Sequence, residues 1–299
     1  MRVHRRRAAC SGSIARMSRI RLAAAAILAL VLVPGTALAQ SSDTTFDPLS
    51  MDRQTFRSTL NVDFGYEFWD DPPTVNDITV FGLTIAGQYM SDTGLGGYAA
   101  IPLSYINIDS LLFDDAEFAL GNIEAGVVYA KQVRRNTILV FHGGVALPTA
   151  DDDGAGAFQA YASVPRYGDL VQRWPNSTWL RLGFSPMGRE GKLFWRADVG
   201  LDLAIDDDNG GDEISPILRL NVGGGVDLGA VSLLGELVTN VVDSAGDDTA
   251  STFTLGARFV SGNLRPGIGL LFPIGFENQN GQQNEYIDFA LIASLAVLL

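Results

Sequence analysis

The stretch LNVDFGYEF, residues 60–68, alternates without interruption between two kinds of side chain. Every even position holds an apolar or aromatic residue, and every odd position holds a polar residue or glycine. Successive side chains of a β-strand point to opposite faces, so a period of two is typical of a strand with one apolar and one polar face. The stretch therefore predicts a strand that lies between an apolar and a polar environment.

The same alternation recurs along the chain, and no convincing amphipathic helical stretch separates the runs. A tilted strand crosses a bilayer with about 9–11 residues, and closed barrels satisfy all their backbone hydrogen bonds in lipid. The sequence therefore predicts an all-β fold, an antiparallel transmembrane β-barrel of twelve strands. The twelve runs are 57–69, 78–90, 97–108, 117–132, 136–147, 177–185, 192–205, 214–228, 231–242, 250–260, 265–276 and 285–298.

The connection 148–176 leaves a second strand count open, because a structureless loop of this length is uncommon unless it is functional. Residues 155–164 would make a further strand and 167–174 a poor partner for it, which would give fourteen strands. We favour twelve because Gly168, Asp169 and Pro175 interrupt the second piece.

The first 39 residues differ in character from the rest. They hold seven Arg, no acidic residue and an apolar run at 23–33 that is too short for a membrane-spanning helix. They end in Ala37-Leu38-Ala39, which predicts a secretory signal peptide that is cleaved after Ala39, with either Met1 or Met17 as the start. Cleavage removes the single cysteine and leaves 260 residues with 14 Lys and Arg against 34 Asp and Glu, a net charge of −20.

The predicted organisation is a signal peptide (1–39), an N-terminal tail or short plug (40–56) and an outer-membrane barrel (57–299). Alternate connections between strands are short, as periplasmic turns are, and the others are longer or more acidic, as external loops are. The predicted location is the bacterial outer membrane, and the predicted partners are its lipids, the barrel-assembly machinery and a small-molecule solute, with the chain as a monomer. The acidic excess repels phosphate and excludes a nucleic-acid partner.

No cofactor is expected. The acidic stretches 151–153, 206–213 and 247–248 offer weak binding of divalent cations, but they lack the spacing of an EF-hand, and solvated acidic loops are the preferred interpretation. His142 is the single histidine of the mature chain, and no recognisable catalytic or zinc motif surrounds it. We therefore interpret it as a hydrogen-bonded interior residue and predict no catalytic, cofactor-binding or metal residue and no enzymatic activity.

The polar register of each strand predicts which side chains face the barrel interior, because an Arg or Lys on the lipid face costs about 2–4 kcal/mol at the midplane. The charges either orient a polar solute or form cross-strand ion pairs that fill and stiffen a small barrel, and we favour the second interpretation. The interior candidates are Asp63, Glu67, Gln88, Glu124, His142, Arg181, Arg196, Asp198, Asp202, Arg219, Asp227, Glu236, Arg258 and Asp288.

The long connection 148–176 carries four aromatic residues, Phe158, Tyr161, Tyr167 and Trp174. Four aromatic side chains on a mobile external loop would be wasteful, so we expect them to cover the barrel mouth or to fold inward as a constriction. They would then form either a capture surface for an apolar solute or a packed lid without a role in solute binding.

Three segments carry a resemblance to a known family. They are GGVALPTAD (143–151), followed by a Gly/Ala-rich stretch, then WLRLGF (179–184) and RPGIGL (265–270). Together they resemble the outer-membrane transporter-like family of the "meta-pathway of phenol degradation", in which a Leu-Pro-Thr-Gly segment recurs at a strand end. Ala150 stands where that family usually has glycine. The resemblance covers residues 55–299 and implies passive uptake of small, often hydrophobic molecules.

Three functional hypotheses follow. The first is passive uptake of small hydrophobic or aromatic molecules, which rests on the resemblance and on the aromatic connection. The second is a water-filled porin for small polar or cationic solutes, because an acidic mouth raises the local cation concentration. The third is a structural barrel or a barrel enzyme. We favour the first.

Overall fold

A computed structural model describes residues 46–69, 75–110, 114–150, 152–207, 215–242, 248–275 and 287–299. The predicted signal peptide and its cleavage site lie outside these residues. So do most of the acidic stretch 206–213, Asp151 and Asp247, and with them the predicted weak cation sites.

Within the described residues, thirteen strands make up the wall, and all of their pairings are antiparallel. Their positions agree with the predicted runs to within a few residues at each end, except that β7 runs five residues further and the predicted run 117–132 is divided into β4 and β5. The strands are β1 (Thr59–Trp69), β2 (Val75–Met90), β3 (Leu95–Ser110), β4 (Asp114–Leu120), β5 (Glu124–Arg134), β6 (Thr137–Ala146), β7 (Ser177–Glu190), β8 (Leu193–Asp207), β9 (Ile217–Asp227), β10 (Val231–Val242), β11 (Asp248–Phe259), β12 (Leu264–Ile274) and β13 (Ile287–Leu298).

The strands close into a barrel with twelve wall positions. β1 pairs with both β2 and β13, and β2 pairs with β3, so the sheet has no free end where it closes. β4 and β5 together occupy one of these twelve positions. They lie end to end beside β3, with β5 paired to its first half and β4 paired to its second half. The predicted twelve-stranded antiparallel barrel is confirmed. The fourteen-strand alternative is wrong, because residues 154–173 form a helix and no strand pair.

Two ends of the barrel differ in their connections. At one end, which we call the turn end, β1 begins beside the end of β13, and two to four residues join each pair of consecutive strands. At the other end, which we call the loop end, β6 and β7 are joined by residues 147–176. Among the described residues, β4 pairs only with β3, so the wall has an open strand edge near the loop end.

Side chains along the wall alternate as the sequence predicts, and β9 shows the pattern clearly. Arg219 and Asn221 point inward and expose 1% and 4% of their surface, whereas Leu218, Leu220 and Val222 point outward and expose 38%, 42% and 54%. Large apolar side chains thus cover the outside of the barrel, and charged and polar side chains fill the inside. This is the reverse of a water-soluble protein and is typical of a barrel in lipid.

Two segments occupy the interior. The N-terminal segment (46–58) enters at the turn end, and most of its first ten residues are buried. The inner helix (Gly154–Arg173) enters at the loop end as a series of 3-10 turns, broken by non-helical backbone at Arg166 and Asp169. The alternation pattern predicts no such helix. Among the described residues, no helix is long and apolar enough to cross a membrane.

Candidate functional site: an ionic layer inside the barrel

The wall holds the N-terminal segment mainly through its backbone. The Glu236 carboxylate on β10 accepts hydrogen bonds from the backbone N–H groups of Leu49 and Ser50, both at 2.7 Å, and of Met51 at 3.0 Å. The Ser50 hydroxyl donates to the same carboxylate at 2.7 Å. A buried carboxylate needs such donors to offset the loss of water, and here three consecutive backbone amides supply them.

Two guanidinium groups serve the carbonyl groups of the same segment. Arg258 on β11 donates to the carbonyl oxygens of Asp47, at 2.8 Å, and of Pro48. Arg166 of the inner helix donates to those of Leu49 and of Met51, the latter at 2.6 Å. The N-terminal segment therefore has charged partners on the wall and on the inner helix.

The inner helix begins beside β4 and reaches deep into the barrel. Asp115 and Glu117 on β4 accept hydrogen bonds from the backbone of Ala155 and Gly156 at 3.0 and 3.1 Å, where a carboxylate interacts favourably with the start of a helix. At Pro165 the helix touches β1 so closely that a Cβ atom added at Gly65 would lie 2.4 Å from the proline ring. Only glycine fits the wall at that point.

The two segments meet at Asp169. Its carboxylate accepts a hydrogen bond from Arg166 at 2.8 Å and pairs with Arg53 of the N-terminal segment and with Arg181 of β7, the latter at 3.4 Å. Arg53 also pairs with Asp63 of β1 at 2.7 Å. Burial raises the pKa of the Asp169 carboxyl, but the three guanidinium groups around it outweigh burial and hold that pKa well below its usual range. The carboxylate is therefore ionised at neutral pH.

The pairing continues across the wall. Arg181 bonds Glu124 at 2.6 Å and Asp202 at 3.2 Å, and Arg219 lies 3.0 Å from the second oxygen of Asp202. Arg219 also pairs with Asp52 of the N-terminal segment. Burial raises the pKa of Asp52, but the cationic groups around it, Arg219 foremost, together outweigh burial and lower the pKa to about 2. We call this connected set of buried charges the ionic layer.

Thirteen of the fourteen interior candidates have buried side chains. The prediction for Asp288 is wrong, because its side chain is exposed. The register of β1 and β13 shifts by one residue there, so that Trp69 pairs with Ile287 and Asp288 drops out of the inward set. The buried candidates are Asp63, Glu67, Gln88, Glu124, His142, Arg181, Arg196, Asp198, Asp202, Arg219, Asp227, Glu236 and Arg258.

Not all buried candidates belong to the ionic layer. Arg196 pairs with Asp198 at 2.6 Å, and Asp227 pairs with Arg189 at 2.7 Å near the turn end. His142 is buried, with its Nε2 atom 3.6 Å from a carboxylate oxygen of Asp52. In the part of the chain that the structure describes, no group of three His, Cys, Asp or Glu residues is placed to hold a metal ion.

The charged residues that lie outside the strands were not predicted from the sequence. Asp52, Arg53, Arg166 and Asp169 all belong to the ionic layer, yet none follows a period-two pattern. One signal was present in the sequence. Arg166 and Arg173 are the only basic residues of the long connection 148–176, and both are buried.

The four aromatic residues of the long connection divide into two pairs. Phe158 and Tyr161 expose 40% and 42% of their surface at the loop end. Their rings are nearly parallel with centroids 6.5 Å apart, and Tyr161 also meets Trp69 edge-on at 5.3 Å. Tyr167 and Trp174 are half-buried and pack against interior apolar clusters. One pair therefore forms an outward aromatic surface, and the other helps to fix the helix.

The cavities inside the barrel differ greatly in size. Two small cavities lie along the seam between the N-terminal segment and the first strands, with volumes of about 10 and 20 Å³. A third, which we call the turn-end cavity, measures about 830 Å³ and is lined by residues of the N-terminal segment and of β5 to β8. Each seam cavity has room for about one water molecule, whereas the turn-end cavity has room for a small ligand.

A closed antiparallel barrel with an apolar outside and a filled polar interior defines an outer-membrane type of β-barrel. Among solved structures, the chain is similar to the COG4313 outer membrane channel from Pseudomonas putida F1, with 14% identity over 85% of this chain and all of that chain and a TM-score of 0.60. It is less similar to the KdgM porin, with 8% identity over 80% of this chain and 99% of that chain and a TM-score of 0.47. For the CymD monoaromatic hydrocarbon channel the identity is 8% over 82% of this chain and 89% of that chain, with a TM-score of 0.45.

No family model matches the chain, and no curated protein matches its sequence. At these identities the structural likeness shows the fold alone. The resemblance to the phenol meta-pathway family stays a prediction.

Proposed function

We propose that this protein is an outer-membrane channel for the passive uptake of small hydrophobic or aromatic molecules. In this proposal the signal peptide directs export, the turn end faces the periplasm, and the outward apolar side chains contact membrane lipid. The chain acts as a monomer, takes up its solute without energy coupling and needs no cofactor.

The filling of the interior is the observation that carries the proposal. A porin for polar solutes keeps a water-filled channel through its barrel. Barrels of about sixteen strands are wide enough to leave such a channel open. Here two segments meet in an ionic layer, and the seam beside them offers cavities of about 10 and 20 Å³. A hydrated solute has no room there, whereas Phe158, Tyr161 and Trp69 present aromatic rings at the loop end, where an apolar solute would arrive.

The test compares uptake of radiolabelled naphthalene by cells that produce the wild type or the double variant Phe158→Ala/Tyr161→Ala. Each lost ring contact weakens capture by about 1 kcal/mol, so the double variant loses about 2 kcal/mol and we expect its uptake at low concentration to fall roughly thirtyfold. Phe141→Ala is the matched control, because Phe141 exposes 43% of its surface on the outside of the wall. Equal uptake by all three proteins would overturn the proposal.

The porin alternative is separated by conductance in planar bilayers. The filled interior predicts that the wild type is electrically almost silent. A steady, cation-selective conductance would instead favour a water-filled pore behind the acidic loops.

A further inference from the structure

The outer face of the wall carries a groove that its own side chains leave open. The groove measures about 670 Å³ and crosses strands β7 to β11 near the turn end. Exposed apolar side chains surround it, and Glu190 supplies the one charged group of the lining that the structure describes. The groove therefore opens toward the surroundings of the barrel, where a membrane protein meets lipid.

Two facing glycines interrupt the apolar face at this groove. Gly235 on β10 pairs with Gly224 on β9, and the same row continues to Trp195 on one side and Leu255 on the other. The rows above and below hold large apolar pairs on the same two strands, Val222 with Leu237 and Val226 with Leu233. Two side chains are thus missing from the middle of an otherwise continuous apolar surface.

The fold itself does not require glycine at position 235. An added Cβ atom at Gly235 would have the Leu255 side chain as its nearest neighbour, at 3.7 Å, which is ordinary van der Waals contact. On β9, by contrast, an added Cβ atom at Gly223 would approach the sulfur of Met51 to 2.6 Å inside the barrel. A glycine within a strand weakens the strand and often marks a place where a ligand approaches closely. The space above Gly235 is therefore available to an occupant from outside the chain.

Trp195 borders the groove without covering its floor. Its indole lies across Gly188 of β7, where an added Cβ atom would come within 2.8 Å of the ring. The indole is not among the atoms nearest to an added Cβ atom at Gly224, so the ring leans away from the two facing glycines. Tryptophan is enriched at the boundary between lipid headgroups and hydrocarbon. Its position places the floor of the groove beside acyl chains and the turn end beside headgroups.

The turn-end edge of the groove carries one charge of each sign. Glu190 lines the groove, and Lys192 lies in the turn that joins β7 to β8. Both side chains are exposed. A carboxylate accepts hydrogen bonds from a primary ammonium group, and a lysine ammonium group donates to a phosphate. The headgroup of phosphatidylethanolamine contains both a phosphate and a primary ammonium group, so its charges complement this edge.

We propose that the groove binds a single phosphatidylethanolamine molecule, with an acyl chain over Gly235 between Trp195 and Leu255 and with its headgroup at Glu190 and Lys192. An acyl chain is narrow and flexible and therefore fits a depression that two missing side chains leave. Phosphatidylglycerol has no ammonium group to offer the carboxylate. Phosphatidylcholine has a quaternary ammonium group, which cannot donate a hydrogen bond to it.

This inference goes beyond the proposed uptake, because it concerns the outside of the wall. It rests on one part of that proposal, the orientation in which the turn end faces the periplasm and therefore the phospholipid leaflet of the outer membrane. At its bottom the groove reaches Phe194 and Leu234, which pack inside the barrel with Leu49 and Met51 of the N-terminal segment. The bound lipid would thus complete the wall where the wall supports that segment.

The test is native mass spectrometry of the mature protein in detergent micelles, titrated with phosphatidylethanolamine, phosphatidylglycerol or phosphatidylcholine that carry the same acyl chains. We expect the wild type to retain a single lipid and to bind phosphatidylethanolamine about tenfold more tightly than the other two, because only its ammonium group makes a charge-assisted hydrogen bond with Glu190. Glu190→Ala should abolish that preference. Equal affinity of the wild type for the three lipids would overturn the inference, and this comparison needs no variant.

Gly235→Leu places a side chain in the groove, and we expect it to remove the retained lipid. Gly87→Leu is the matched control, since Gly87 lies on the outward side of β2, an added Cβ atom there meets nothing within 4 Å, and the residue does not line the groove. Equal loss of lipid from both variants would overturn the inference, and so would a dimer that Gly235→Leu dissociates, which would place a second copy in the groove. Because mass spectrometry measures no transport, absent lipid with intact naphthalene uptake would overturn this inference alone, and retained lipid without uptake would overturn the proposed function alone.

Discussion

The two segments that fill the barrel are held in opposite ways. For the N-terminal segment, the wall brings charges to its backbone, with Glu236 on three amide groups and Arg258 on two carbonyl groups. The inner helix brings its own charges to the wall and to the other segment. Asp169 meets three guanidinium groups, and Arg173 reaches the hydroxyls of Thr84 and Ser104, both at 3.1 Å.

This difference decides how each segment depends on its sequence. Residues 47–51 of the N-terminal segment are held by their backbone, so they tolerate changes in their own side chains but not the loss of Glu236 or Arg258, whereas Asp52 and Arg53 of the same segment belong to the ionic layer. A segment held by its own ionised side chains is sensitive to single changes within it, because a buried charge that loses its partner is costly. The N-terminal segment and the inner helix should therefore respond to different substitutions, although they lie in the same barrel.

The largest effect is expected for Asp169→Asn. The substitution keeps the shape of the side chain and removes the negative charge that Arg53, Arg166 and Arg181 share. Breaking a buried pair by removing one partner costs about 3–5 kcal/mol, so we expect the free energy of unfolding in urea to fall by that amount. Amide hydrogen exchange should increase in both segments, since Arg53 belongs to one and Arg166 to the other.

Asp92→Asn is the control for this change, because it removes an acidic residue whose side chain is exposed in the turn between β2 and β3. It should leave both the unfolding midpoint and the exchange rates close to those of the wild type. If Asp169→Asn behaved like this control, the ionic layer would not hold the two segments together.

The second prediction concerns the N-terminal segment alone. Glu236→Ala leaves the amide groups of Leu49, Ser50 and Met51 buried without their acceptor, and an unsatisfied buried donor costs about 1–3 kcal/mol. We expect a loss of roughly 3 kcal/mol in unfolding free energy and faster exchange at these three amides. Exchange of residues 163–173 should stay slow, because the contacts between the inner helix and Glu124, Thr84 and Ser104 remain. Equal loosening of both segments would contradict the distinction between them.

The difference between the strands of the wall and the two interior segments also explains which parts of the structure could be predicted from the sequence. The wall charges, such as Glu236, Arg181 and Arg219, follow from the alternation, because inward and outward positions differ so strongly in their surroundings. The strands follow from the same pattern. The prediction for Asp288 is wrong because of a register shift between β1 and β13. That shift depends on the pairing of two strands that are far apart in the chain, and the local alternation of the sequence does not show it.

The inner helix was missed for a different reason. A 3-10 helix has about three residues per turn, and this one is broken at Arg166 and Asp169, so the segment lacks the two-residue period of a strand. Its partners, Asp115 and Glu117 on β4 and Arg181 on β7, come close to it only through the pairing of the strands in the barrel. The position of Asp169 therefore depends on tertiary contacts, which only the three-dimensional structure shows.

The smallest effect is expected from steric pressure on the inner helix. Gly65 on β1 faces Pro165, and a Cβ atom there would approach the ring to 2.4 Å, so Gly65→Leu must push the helix away from the wall. Overpacking of this kind costs about 1–3 kcal/mol. We expect a modest fall in the unfolding midpoint and faster exchange near Pro165, with the amides of Leu49 to Met51 unchanged.

Gly87→Leu on the neighbouring β2 is the matched control, since an added Cβ atom at Gly87 meets nothing within 4 Å. It should leave exchange in both segments as in the wild type. If Gly65→Leu changed the N-terminal segment as much as the inner helix, the two segments would move as one body, and their separate attachment to the wall would have no mechanical consequence. If it changed only the helix, a solute could displace the helix from the loop end while the N-terminal segment stayed in place.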